Sequence, residues 1–449
     1  MAYFTQNALN IFCLWMLVWI TGIYGNPFPF SDDWSLLQHV PVDISAGEVE
    51  WLFATHADHR IPLNKLYHIV TLRLSNFDFR IVQLTNILLI FAASHLILRT
   101  LRSYNRGSNL GDFAIPIMLL NPGLAALSWG FQFQFISSTL FFLGFALCLL
   151  NKTYHKPSLN TLIASLCLFG MSFCGMNGVI PSLLVSTIMF ATLCLTRPTT
   201  RLRLHAPILL ILLATILSGI ANIFAWHPSG AASVDVINWV SHSVTIGGHF
   251  LTMINPNPIV IPEALKLFYP AFNGLLLVLA LGILTSQLIS AFNKRVPFEL
   301  ALAGPYLALI TTLLLLIFIA AGRYKYWTPG LEIHYGYLPI PLTVISWIVI
   351  SHYGSRPLVS YMGFAFLGTS IYLYTENLGR RLVSGIEQEA RVAEIYYDAF
   401  RHVSISDLTA KHIRHFFYLD DATTREIVHS GLRFLRDEGV EPYRHLTGE

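Results

Sequence analysis

The sequence predicts an all-α fold: a polytopic membrane bundle of about eleven transmembrane helices, an interfacial helix in the first long loop, and a small helical C-terminal tail. Three observations carry that prediction. Of the 449 residues, 54% are hydrophobic and only 12% charged, about half the charge of an ordinary soluble chain. Apolar runs of roughly 17–25 residues, the length needed to cross a bilayer as a helix, recur along most of the chain. The remaining charge is segregated: 12 acids and 18 Lys/Arg precede residue 376, and 13 acids and 10 Lys/Arg lie from 376 onward. Residues 1–375 therefore read as the transmembrane domain and 376–449 as a polar helical tail. That tail is mildly acidic, so nucleic acid is not an expected partner.

The first run, about 8–24, has no Lys or Arg on its N-terminal side and no small-residue cleavage site after it. It is expected to stay as an uncleaved first helix. Further spans are expected near 81–98, 112–128, 133–150, 160–174, 178–196, 206–226, 270–291, 299–320, 337–352 and 358–375. The fifth and sixth are divided at CGMNG, residues 174–178, a turn signal. The five cysteines fall inside apolar runs without a CxxC pair, so they read as small core residues and not as a disulfide frame or metal site.

Lys and Arg in the short loops favour a cytoplasmic N-terminus. Ten of the 12 acids before residue 376 then fall on the outer side. Three outer loops are long, about 25–80, 227–269 and 321–336, and loops of that length usually carry function. In the first of them, apolar residues at 63, 66, 69, 70 and 74 predict a helix lying along the membrane surface. In the tail, Leu382, Ile386, Ala393, Tyr397 and Phe400 share a predicted helix face. Ser406 is expected to cap a second helix, and Thr423 with Glu426 to open a third that Gly439 closes.

Chemistry-bearing residues gather in three outer clusters. SDDW places Asp32 and Asp33 beside Trp34, just after the first helix and amid apolar neighbours. A carboxylate partly withdrawn from water gains basicity, as a general base requires. ADHR sets Asp58, His59 and Arg60 side by side, with Lys65 and His68 further on, a set able to hold a polar group at the surface. GRYKYWTPGLEIHYGY offers Arg323, Tyr324, Lys325, His334 and Tyr335. Guanidinium binds phosphate oxygens in a planar fork, although an ordinary aromatic belt with snorkelling cations explains this stretch equally well. SWGFQFQ adds Gln132 and Gln134 at an outer helix end, while His242 and His249 lack a third metal ligand.

An acid pair after the first membrane helix, a long loop with a surface helix, and a late Arg-aromatic loop together resemble the GT-C class of integral-membrane glycosyltransferases, in particular its bacterial, polyprenyl-phosphate-dependent members. SDDW stands where that class carries an essential Asp, and ADHR is similar to its acidic-His-Arg segment, with Asp58 in place of the expected Glu. Arg323-Tyr324 matches the late Arg-Tyr pair, with His334-Tyr335 as a second candidate.

The resemblance implies a sugar donor on a polyprenyl phosphate, reaching the site from the bilayer, and a glycan or lipid acceptor. Asp32 or Asp33 would be the base, with Asp32 favoured by analogy and transfer inverting. Arg323, Lys325 or Arg60 would meet the leaving phosphate, and Asp58 and His59 would position acceptor or base. No nucleotide cofactor is implied, and a divalent metal has no support in the residues. The expected location is the inner (plasma) membrane of a cell with a periplasm, with the site loops and tail periplasmic. A multi-span transporter or flippase of a lipid-linked or envelope precursor is the main rival. Against it, the spans are nearly free of charge and the polar clusters sit at one surface. An acyltransferase built around His95 and a scaffold acting through its tail are weaker rivals.

Overall fold

The computed structural model describes residues 2–37, 46–56, 59–104, 108–125, 129–150, 157–196, 205–226, 236–254, 268–293, 300–324 and 333–448. Helix α1 (Ala2–Tyr24) leads into a loop holding α2 (Asp33–Leu37), α3 (Ala46–Phe53), a two-residue antiparallel hairpin (Thr55–His56 with His59–Arg60) and α4 (Pro62–Leu74). Then follow α5 (Phe79–Tyr104), the short α6 (Ala114–Leu119) and α7 (Pro122–Ala125), α8 (Phe133–Leu150), α9 (Pro157–Met171), α10 (Met176–Thr196) and α11 (Ala206–Phe224). The second half comprises α12 (Val236–Ser241), α13 (Ser243–Met253), α14 (Phe268–Asn293), α15 (Leu300–Gly322), α16 (Ile340–Tyr353), α17 (Arg356–Phe400), α18 (Ile405–Phe416) and α19 (Ala422–Asp437).

The protein is a multi-pass helical membrane protein. Among the described residues, eight helices are long and apolar enough to cross a bilayer: α1, α5, α8, α10, α11, α14, α15 and α17. The other three expected spans differ. The 112–128 stretch breaks at Asn121-Pro122-Gly123 into α6 and α7, because proline cannot extend a helix through its ring. Helices α9 and α16 hold 15 and 14 residues, about 21–23 Å at 1.5 Å per residue, short of a hydrocarbon core of about 30 Å. Helix α16 is nonetheless buried along its length from Ile340 to Ile350, so it is a central post of the bundle. The turn expected at CGMNG is present, with Gly175 at φ 81, a conformation glycine adopts without steric cost.

Polar groups within the bundle bond one another, as a medium without water requires. Asn177 donates to the Gln134 carbonyl at 3.2 Å and to Ser138 at 2.9 Å. Thr343 donates to Asn273 at 3.0 Å, and the Trp347 indole donates to buried Asp112 at 2.9 Å.

The helix expected within 61–80 forms as α4. It exposes Leu66, Val70 and Leu74, one per turn, and buries Asn64, Lys65, His68 and Leu72 on its other side. The tail differs in rotation. Helix α17 runs unbroken through residues 375–376, and past that point Ile386, Tyr397 and Phe400 are exposed. Its packed face is Val392, Ile395, Tyr396 and Ala399, because these meet Phe28 and the rest of the tail. Ser404, not Ser406, caps α18 by accepting from the Asp407 N–H at 3.0 Å, and Asp421 caps α19 by accepting from Thr424 N–H at 2.7 Å. Gly439 ends α19 at φ 71, as expected.

Candidate functional site

The tail and the first loop share one apolar core, separate from that of the bundle. Phe28, Trp34, Leu37, Leu72 and Phe79 pack there against Ile405, Phe416, Val428, Leu432 and Leu435. This cap sits over the end of α1 and carries the acid pair.

The two acids have different surroundings. Asp33 is fully buried. Its Oδ1 accepts from the Phe131 N–H at 2.8 Å and its Oδ2 from the Phe30 N–H at 3.3 Å. Its Oδ1 also lies 3.2 Å from His68 Nε2, within ion-pair distance, though the alignment forms no hydrogen bond. Asp32 points the other way, with its side chain 37% exposed and Oδ1 4.0 Å from His56 Nε2. Adjacent residues thus differ in setting: Asp33 ties the loop to the start of α8, and Asp32 keeps its side chain partly exposed next to His56.

Backbone geometry enforces that split. Ser31 has φ 55, a left-handed conformation that costs a non-glycine residue about 1 kcal/mol. Phe30 and Asp33 close the turn, Asp33 N–H donating to the Phe30 carbonyl at 3.1 Å. Gly130 supplies clearance: a Cβ there would stand 2.3 Å from His68 Cε1 and 3.1 Å from Asp33 Oδ1. His56 rests tilted on Phe131, ring centroids 5.2 Å apart, and Phe30 meets Trp129 edge-on at 5.5 Å.

Several buried polar atoms on the same elements have no hydrogen-bond partner: both amide atoms of Asn64, both ring nitrogens of His68, Gln132 Oε1, Trp129 Nε1 and Arg60 Nε. Buried polar atoms are rarely left unpaired; of this group, His68 Nε2 lies against Asp33, and the others stand on the hairpin, on α4 and in the turn before α8.

The other candidates take varied positions. Trp34 is enclosed in the shared core and faces the tail, not solvent. Lys65 is buried, its Nζ donating to the Trp51 and Ala54 carbonyls at 2.7 and 2.8 Å and lying 4.7 Å over the Trp51 ring. Burial pulls its ammonium down to about 8. It therefore holds the end of α3 onto α4. Arg60 is half-buried on the hairpin near Asp32's partner His56. Arg323 is half-buried and Tyr324 buried at the end of α15, the Tyr324 ring 4.8 Å from that of His242. Tyr335 meets Phe135 of α8 edge-on at 5.7 Å. Asp58 and Lys325 lie outside the described residues, as do the side chains of His59 and His334.

Sequence reasoning gave His56, Asn64 and Gly130 no role. Asn64 and His68 are spaced i, i+4 opposite the apolar stripe Leu66, Val70, Leu74, which was the available signal. His56 gave none, since its place depends on the hairpin.

One further group of ionisable residues clusters in the tail: Glu394, Asp398 and His412 have ligand atoms within 4.8 Å of one another. The Lys411 ammonium already sits 2.9 Å from Glu394 and 2.7 Å from Asp398, and His412 Nε2 lies 2.7 Å from Asp398. Those contacts describe an ion network that fastens α18 to α17.

Fold and site together define a multi-pass helical membrane protein with an acid-bearing cap. Comparison with protein-family models, curated proteins and solved structures finds no match to this chain.

Proposed function

We propose that the protein is a membrane glycosyltransferase that moves a sugar from a polyprenyl-phosphate donor to a hydroxyl acceptor. The observation that carries this reading is the half-exposed Asp32, paired with His56 and standing beside a group of unsatisfied buried polar side chains. In the proposed step, the Asp32 carboxylate takes the acceptor hydroxyl proton while that oxygen attacks the anomeric carbon. The bond from that carbon to the phosphate oxygen breaks, and the phosphate leaves with the electron pair. The configuration inverts. His56 steadies the Asp32 carboxylate, and the Asn64 and Gln132 amides are suited to sugar hydroxyls. Arg60, half-buried on the hairpin that carries His56 and with Nε unpaired, is the candidate we assign to the leaving phosphate. Donor stabilisation of this electrostatic kind is a major source of rate in many enzymes. The proposed setting is the outer face of an inner (plasma) membrane.

Native mass spectrometry of the purified chain tests this reading. A retained polyprenyl-phosphate sugar in wild type and in Asp32→Asn, with turnover only in wild type, supports it. Absence of any such lipid, while other lipids stay bound, removes the donor from the proposal.

Transport or flipping of a lipid-linked precursor is the second reading. Ser138, Thr139, Asn177 and Thr312 line a small cavity inside the bundle. Its volume is about 10 Å³, room for one water and far below that of a sugar.

A further inference from the structure

We infer that the C-terminal tail is a structural part of the acid site, and that Trp34 and Gly431 are positioning residues that set the geometry of Asp32 and Asp33. The inference rests on the acid turn being the working site, as proposed above. Its physical core, a clamp on that turn, stands independently of the reaction.

The clamp is a single carbonyl. Phe416 is the last residue of α18, where helix carbonyls run out of intrahelical donors. Its oxygen accepts from the Ser31 N–H at 2.8 Å and from the Trp34 indole N–H at 3.1 Å. Those two donors bracket Asp32 and Asp33. The tail therefore holds both ends of the turn from a point 382 residues further along the chain. It also holds Ser31 in its left-handed conformation, which such a residue keeps only when its surroundings dictate it.

Packing reinforces the bond. The Trp34 ring is fully buried and meets Phe416 edge-on, centroids 5.2 Å apart. On its other side lies α19 at Gly431, where an added Cβ would stand 2.5 Å from Trp34 Cε3 and 3.0 Å from Cζ3. Glycine in mid-helix weakens a helix, so its presence there fits the need for indole clearance. A side chain at 431 would displace the Trp34 ring and, through its backbone, the adjoining Asp32–Asp33 turn.

The test uses the full chain with a reporter cysteine at position 31. Ser31 is 1% exposed, and Ser31→Cys is nearly isosteric and keeps the backbone donor. A charged maleimide then reacts at position 31 only when the turn opens, and labelling is read site by site by peptide mass because the five native cysteines include the exposed Cys194. Labelling rates are read in four backgrounds: wild type, Trp34→Phe, Gly431→Val, and Gly431→Val with Trp34→Leu. Trp34→Phe keeps the ring face but deletes the indole donor, and is expected to raise the rate about fivefold, the effect of one lost buried hydrogen bond. Gly431→Val is expected to raise it further, and Trp34→Leu in the same chain to reverse part of that rise. Should Gly431→Val fail to fold, Gly431→Ala takes its place.

A Thr409→Cys reporter, buried in the tail 4% exposed, separates a specific clamp from general loosening. Its rate is expected to stay flat in Trp34→Phe. Equal rises at 31 and 409, or no rise at 31 in folded variants, overturn the inference. Opening at 31 in a protein that binds no polyprenyl-phosphate sugar would sink the transferase reading and leave the clamp standing.

Discussion

The bundle and the cap are built by different physics. In the bundle, burial comes from long, largely apolar helices, and its one buried acid among the described residues, Asp112, is held by neutral donors, the Asn109 N–H and the Trp347 indole. In the cap, the decisive contacts join Phe28, Ser31 and Trp34 to residues more than 380 positions away. The bundle resembles a set of parts that each insert on composition alone. The cap exists only when both chain ends have arrived. Charge and left-handed non-glycine backbone concentrate in the cap, whereas unsatisfied buried polar atoms occur in both regions.

The largest expected effect follows from removing one side of the cap. Ending the chain at Thr375 strips Trp34, Phe28 and Leu72 of their tail partners while leaving most of the bundle. Trypsin is then expected to cut at Arg60 or Arg73 within minutes, with helicity from α5 to α16 retained by circular dichroism. Continued protection of the first loop would show that the cap does not depend on the tail.

The acid pair sharpens the comparison within the cap. Asp33→Asn leaves a neutral amide where two backbone N–H groups and His68 expect a carboxylate, a loss of about 1–3 kcal/mol. Asp32→Asn, on a half-exposed side chain, is expected to change stability by less than about 0.5 kcal/mol and to lower transfer by about 10²–10⁴. Thermal unfolding read alongside turnover distinguishes them, and equal stability losses would refute the division of roles.

Gly130→Ala is the next smaller change. Its methyl would crowd His68 and Asp33 together, costing about 1–3 kcal/mol as overpacking does. A matched methyl at Gly282 of α14, which has open space, is expected to be neutral or mildly stabilising. Similar melting shifts for both would mean the Gly130 site can relax.

Lys65 gives an effect that depends on pH. Its folded ammonium is drawn down to about 8 from 10.5 by burial. Unfolding therefore takes up a proton between those values, and the stabilisation is full above the unfolded value and lost as pH falls through the folded one. Wild type should gain stability over Lys65→Met as pH rises from 8 toward 10.5. A constant gap across that window would mean that the two carbonyls keep the ammonium charged.

Most helices of the bundle were legible because a 20-residue apolar run has few ways to fold in lipid. The breaks were less so. Asn121-Pro122-Gly123 reads plainly as a breaker, yet the surrounding hydropathy masks it. In the cap, the acid pair was visible as an oddity of composition. The difference between Asp32 and Asp33 was not, since it is created by the Phe131 amide, Gly130 clearance and the Phe416 carbonyl. The rotation of α17 escaped for the same reason: with apolar residues on two faces, only the arrival of Phe28 and Tyr443 decides which one is covered.

Helix α17 has 45 residues, about 68 Å at 1.5 Å per residue, more than twice the thickness of a hydrocarbon core. It joins the far side of the bundle, through Asp112's neighbours, to the floor under α18 and the acid turn. A rod that long acts as a lever arm: a tilt of a few degrees at its lipid-embedded half moves its far end, and the cap packed on it, by several ångströms. Contacts between α17 and its neighbours in the bundle, which set such a tilt, thus bear on the position of the acid turn.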